Sequence, residues 1–167
     1  TFFMVLFGIN FALFYRVLVG GWRDALRSEE LHWYLALFAG STLFVSLMIL
    51  PQYGTFLNAL RYGSFQVATI MSTTGYATAD FNLWPQAVKA LIVVLMFIGS
   101  CAGSTAGGIK VVRVGILCKL GCREVRRTFQ PRKVQVVRFE GKGVEENRLT
   151  QVSAFFFVYV LLVLAGM

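Results

Sequence analysis

Ser72-Thr73-Thr74-Gly75-Tyr76-Ala77 follows directly on Phe56-Leu57-Asn58-Ala59-Leu60-Arg61-Tyr62-Gly63-Ser64-Phe65-Gln66-Val67-Ala68-Thr69-Ile70-Met71, and these two pieces together decide how the chain is read. The longer piece suits a helix of about 15 residues, whereas crossing a hydrocarbon core takes about 20 apolar residues. The whole stretch 51–89 is too polar for a plain span, yet its charges are only Arg61, Asp80 and Lys89. A helix too short to cross, ending in hydroxyls and a glycine, reads as a re-entrant segment. Irregular backbone at membrane depth is tolerated only where protein buries it or where it lines a water-filled path.

The flanks fit that reading. Residues 31–50 and 90–109 contain no Lys, Arg, Asp or Glu, so each qualifies as a span. Residues 1–20 nearly qualify, interrupted by Asn10 and Arg16, and 152–167 reads as the start of a further span. Trp22, Trp33, Tyr53 and Trp84 fall near span ends, where interfacial aromatic belts form. The chain opens on Thr1 and stops at Met167 inside an apolar run, which suggests a piece of a longer protein.

Composition agrees. Of 167 residues, 57% are hydrophobic and 14% charged, against about 25% charged in soluble domains. Mean hydropathy is +0.67. A disordered chain is excluded and a single soluble domain disfavoured. The net charge of +8 is uneven, because 110–148 holds 11 basic and 4 acidic residues. A basic block between apolar spans marks the cytoplasmic side rather than a nucleic-acid surface. Segments 16–27 and 110–142 are therefore expected inside, and 51–85 opens outward. The cluster Arg123, Arg126, Arg127, Arg132 and Lys133 suits either anionic lipid or topology marking alone. Within the basic region, 134–139 reads as a short strand, Glu140 to Gly143 as a turn and Val144 as the start of a returning strand. Glu145 and Glu146 suit a helix N-terminus.

Two motifs carry chemistry. Around Thr73, Thr74, Gly75 and Tyr76, consecutive backbone carbonyls could replace a cation's hydration shell. Glycine gives the backbone the conformations this needs, and a helix ending at Met71 aims its negative dipole end at the ion. The plainer reading is a tight outer turn. The second motif is Gly99 to Gly108, ten small residues in a row within an expected span. One reading is a helical small-residue stripe, with Gly99, Gly103 and Gly107 on one face. The other is a broken helix whose unwound part, including Ser104, Thr105, Gly108 and Lys110, acts as a movable constriction. A phosphate-binding loop is rejected, since Ile109 separates the last glycine from Lys110. Asp80 reads as a local cap or as a cation-concentrating acid; the cap is favoured. Arg61 suits pairing with an interfacial group. Cys101, Cys118 and Cys122 read as reduced structural thiols, and the single histidine, His32, excludes most triads and metal sites.

The run 65–81 and the run 102–110 resemble the pore loop and the intramembrane loop of TrkH-type potassium-uptake subunits of the Trk/Ktr/HKT superfamily. The similarity runs from Phe2 through Gly166. It implies an all-α integral membrane fold, part of a four-repeat potassium-channel-like architecture with a re-entrant pore loop and a broken helix. The chain would hold the end of a preceding repeat (1–20) and a third repeat (21–127). Within that repeat lie a transmembrane helix 31–50, a pore helix and filter 56–77 and a broken transmembrane helix 86–127. A cytoplasmic hairpin (128–148) and the start of a fourth repeat (149–167) follow.

The resemblance further implies potassium ligated by backbone carbonyls of Thr73, Thr74, Gly75 and Tyr76. It implies a gating loop including Gly99, Gly103, Ser104, Thr105, Gly107, Gly108 and Lys110. It makes potassium the expected transported ion, with no organic cofactor. The expected surroundings are membrane lipid of the bacterial inner membrane, a second copy of the subunit and a cytosolic nucleotide-binding regulatory subunit of the TrkA type. Neither an enzyme nor a nucleic-acid binder is expected. Two alternatives from the residues themselves stay open: a tetrameric two-span potassium channel with 31–109 as its repeat, and a non-transporting membrane scaffold.

Overall fold

The structure is a computed structural model that describes residues 1–129, 138–140 and 142–166. It divides into two compact units, Thr1–Val111 and Val112–Met167.

In the first unit, α1 (Phe2–Phe7) and α2 (Phe11–Leu18) are separate helices. The near-continuous span expected over 1–20 is thus broken. Gly8 ends α1, and the Asn10 side chain accepts the Ala12 N–H to cap α2. α3 (Trp22–Leu26) is a single turn or so. α4 (Glu29–Tyr53) contains the expected 31–50 span and extends it at both ends. Its 25 residues make a rod of about 37 Å. Glu29 and Glu30 occupy its first turn, where the helix dipole favours acids. Gly54, at φ 67°, closes its other end by donating its N–H to the Leu50 carbonyl.

α5 (Phe56–Met71) follows after two residues and packs back on α4. Gly63 makes that approach possible: a Cβ there would lie 2.9 Å from the Ser46 hydroxyl and 3.2 Å from Val45. A 3-10 turn, Phe81–Leu83, precedes α6 (Gln86–Phe97). Asp80 caps that turn by accepting the Asn82 N–H at 2.9 Å, which is the local reading of this acid. α6 has only 12 residues, about 18 Å, so the charge-free run 90–109 is not one helix and breaks after Phe97. Tyr34, Ile49, Val67, Met71, Val88 and Leu95 sit in the core that α4, α5 and α6 share. Trp84 joins them at 3% exposure; it is a core residue, not an interfacial belt residue. The turn at 81–83 and Pro85 bring it inward just before α6 starts.

The second unit holds most of α7 (Val111–Phe129), then β1 (Arg138–Phe139), β2 (Lys142–Gly143) and α8 (Glu146–Gly166). β1 and β2 are antiparallel, with Arg138 opposite Gly143 and Phe139 opposite Lys142. The returning strand therefore opens two residues before Val144. The remainder of the strand expected over 134–139, together with Arg132 and Lys133, lies outside the described residues. Phe139 is buried with Ile116 and Leu149. Lys119 places its ammonium 5.1 Å from the Phe139 ring and donates to the Arg138 carbonyl. Arg123 binds Glu146 at 2.7 Å and Glu124 at 3.0 Å. Among the described residues, α4 and α8 are long and apolar enough to cross a membrane.

Candidate functional site

The first irregular segment begins where α5 ends. Its N–H groups turn back onto the last turn of the helix. Thr73 donates to the Ile70 carbonyl at 3.1 Å, Thr74 to Thr69 at 3.0 Å and Gly75 to Thr69 at 3.5 Å. Thr73 (φ 54°) and Gly75 (φ 82°) occupy the left-handed region on either side of Thr74. A β-branched residue at positive φ is a strained exception. It is held here from two sides: the Thr73 hydroxyl donates to the Ser72 carbonyl and accepts the Gly107 N–H. Ser72 and Thr74 pair their hydroxyls at 2.6 Å. The side-chain oxygens are thus engaged locally, while among the described residues no hydrogen bond is donated to the carbonyls of Thr73, Thr74, Gly75 or Tyr76. The four residues are exposed, and nothing lies within 4 Å of where a Gly75 Cβ would be. Carbonyls that take no hydrogen bond among the described residues, on exposed residues beside a helix C-terminus, suit a cation, by charge and by dipole.

The second segment, 98–110, leaves α6 and folds on itself. Ile98 and Ile109 form a parallel bridge in which Gly99 donates to Ile109 and Ile109 donates to Phe97. Gly99 is a packing requirement: a Cβ there would lie 1.9 Å from the Gly107 carbonyl oxygen. Gly103 (φ 72°) and Gly108 (φ 75°) take conformations closed to most side chains. This backbone is not helical, so the small-residue stripe, with Gly99, Gly103 and Gly107 on one helical face, does not exist. The broken helix does. Gly99 and Gly107 meet because the loop closes, not because they share a face. The scaffold alternative loses its main support with the stripe.

The two segments touch. Ser100, fully buried, donates its hydroxyl to the Met71 carbonyl at 2.8 Å, and Gly107 donates to Thr73 at 3.1 Å across 34 residues of sequence. Lys110 donates its ammonium to the Ala106 carbonyl within the loop. Ser104 donates its hydroxyl to the Cys101 carbonyl at 2.6 Å. Thr105 is exposed beside it. Arg61 is exposed on α5, away from these contacts. Cys101 is buried in the loop, and Cys118 and Cys122 are exposed on α7.

Sequence reasoning passed over three residues that hold this arrangement. Thr69 supplies the carbonyl that takes two N–H groups of the first segment. Glu30, 4% exposed, accepts the Ala102 N–H and the Asn10 side-chain amide. Asn10 in turn lies against Gly103, where a Cβ would be 3.0 Å from its Oδ1. The available signal was a polar residue inside an apolar run, and an acid at the foot of a long apolar helix. Neither says which distant backbone it will meet.

The chain is similar to known proteins in sequence and in fold. Residues 42–167 match the TrkH family, described as a cation transport protein. A Trk system potassium uptake protein TrkH from Halomonas elongata is 42% identical over 118 residues, covering 71% of this chain and 24% of the relative. The Salmonella typhimurium TrkH is 32% identical across 99% of this chain and 35% of its own length. The crystal structure of the potassium transporter TrkH from Vibrio parahaemolyticus superposes with a TM-score of 0.90 at 28% identity, covering 98% of this chain and 36% of that one. The chain thus spans about a quarter to a third of the relatives it matches. The helical fold is that of the membrane transporter, and the relatives are transporters, not enzymes. On the extent of these matches, the chain belongs to the TrkH family of cation transport proteins.

Proposed function

We propose that this chain supplies one wall of a potassium-uptake path across the bacterial inner membrane, with 56–77 as a re-entrant pore helix and filter strand. The observation that carries the reading is the asymmetry at 73–76. The N–H groups of Thr73, Thr74 and Gly75 are committed to the helix end, and the carbonyls of Thr73 through Tyr76 receive no donor among the described residues. Potassium sheds water at these carbonyls, and no side chain has to ionise. The loop 99–110 lies against the filter strand through Thr73 and Gly107, and it acts as the gate. The third-repeat assignment, the inside placement of 110–142, a second copy of the subunit and a TrkA-type regulatory partner belong to the same proposal. So does the fourth repeat that α8 begins.

The test is rubidium-tracer uptake by a full-length subunit carrying this sequence, in cells lacking other potassium uptake. Gly75→Arg places a long cation at φ 82° among the carbonyls. Uptake is expected to fall to background at unchanged membrane insertion. Normal uptake by the inserted variant would remove Gly75 from the ion path.

A further inference from the structure

The loop 99–110 is held unequally. Its first half is tied to elements far away in sequence. Cys101 donates its N–H to the Gly8 carbonyl at 3.0 Å, Phe11 donates to the Gly103 carbonyl at 3.3 Å, and Ala102 donates to the Glu30 carboxylate. Glu30 also accepts from Asn10 Nδ2 at 3.3 Å, while Asn10 caps α2 with its Oδ1. Among the described residues, the second half has one hydrogen bond outside the loop's own neighbourhood, the Gly107–Thr73 bond. Gly103 and Gly108, both at positive φ, bracket the stretch between.

We infer that Glu30 and Asn10 form the fixed post of the gate, and that 104–107 is the part that moves, swinging between Gly103 and Gly108. This rests on the gating reading above and adds the residue that sets the resting position. A buried carboxylate that accepts a backbone N–H makes a strong, short hydrogen bond. Its removal leaves the Ala102 N–H and the Asn10 amide without an acceptor, which costs more than the bond itself contributes. Glu30 is anchored for this role because the first turn of α4 fixes its backbone and favours its charge. Glu30 and Asn10 are positioning residues; neither touches the ion.

The experiment uses the full-length subunit in proteoliposomes without a regulatory partner. Basal rubidium flux and the labelling rate of Thr105→Cys by a membrane-impermeant maleimide are measured, with Cys118 and Cys122 replaced by Ser. Glu30→Ala is expected to raise both at least about tenfold, the low end of what one charge-assisted hydrogen bond is worth in a closed-to-open ratio. The potassium-over-sodium ratio, set at the filter, stays unchanged; a merely misfolded protein would lose it. Asn10→Asp places two carboxylates together and is expected to act in the same direction. Asn10→Asp with Glu30→Gln exchanges donor and acceptor and returns most of the effect. Wild-type flux and labelling in Glu30→Ala and Asn10→Asp would overturn the inference; if Glu30→Ala does not insert, Asn10→Asp alone decides. A subunit shortened within 104–107 separates the two levels. If it leaks while the Glu30 and Asn10 variants do not, only the fixed post falls. If it does not leak either, the gating reading falls and takes the post with it.

Discussion

The two irregular segments, 72–80 and 98–110, both interrupt helical structure with glycines at positive φ, but they are held in opposite ways. The first is tied mainly by its own neighbours: Thr73, Thr74 and Gly75 bond to Thr69 and Ile70, a few residues back. The second closes on itself at Ile98 and Ile109, and its position depends on Gly8, Asn10, Glu30 and Thr73. Local backbone bonds hold a fixed geometry, as a filter requires. Long-range contacts through a few side chains can be exchanged as a unit, as a gate requires. Under the proposed function the first segment is the rigid one and the second the moving one, although both read as glycine-rich loops.

The comparison breaks most visibly at Gly99. Gly99→Ala must displace the Gly107 carbonyl, which its Cβ would approach to 1.9 Å. Overpacking of this kind costs about 1–3 kcal/mol. The expected outcome is lower thermal stability and a raised basal rubidium leak. Gly107→Ala is the control, because its Cβ would meet only Thr73 Cγ2 at 3.7 Å. If the two variants behave alike, the closed loop is not what the protein holds at rest. Thr73→Val gives a smaller effect. It keeps the shape and removes the hydroxyl, losing the bond from Gly107 that joins the two segments and the local one to the Ser72 carbonyl. One neutral hydrogen bond is worth about 0.5–1.5 kcal/mol, so basal flux should rise severalfold with ion selectivity retained. Lost selectivity instead would place the hydroxyl in the filter itself. Asp80→Asn should change least. Asn caps nearly as well as Asp, and among the bonds described the Asp80 side chain accepts only the Asn82 N–H. Uptake at low potassium should stay within about twofold. A steep, salt-sensitive loss would instead give Asp80 a cation-concentrating role.

The same contrast separates what the sequence made legible from what it did not. The short helix ending at Met71 and the hydroxyl–glycine turn after it were readable, because length, apolar content and glycine placement are local properties. The break after Phe97 was readable as one of two possibilities. Composition alone could not separate a helical stripe from an unwound loop, since small residues serve both. Two features escaped for one reason. The burial of Trp84 and the Glu30–Asn10 tie each depend on a partner set by the tertiary fold. Asn10 and Glu30 lie 20 residues apart, and Glu30 meets Ala102 across 72. No periodicity encodes such a meeting.

The central claim is that the carbonyls of Thr73 through Tyr76 line the ion path. The most direct measurement is anomalous scattering from crystals of the full-length subunit grown in rubidium. Rubidium density is expected within about 3 Å of these carbonyls, at the distances of replaced hydration oxygens, and is expected to be lost in Gly75→Arg. Rubidium density elsewhere in the subunit, with none against these carbonyls, would contradict it.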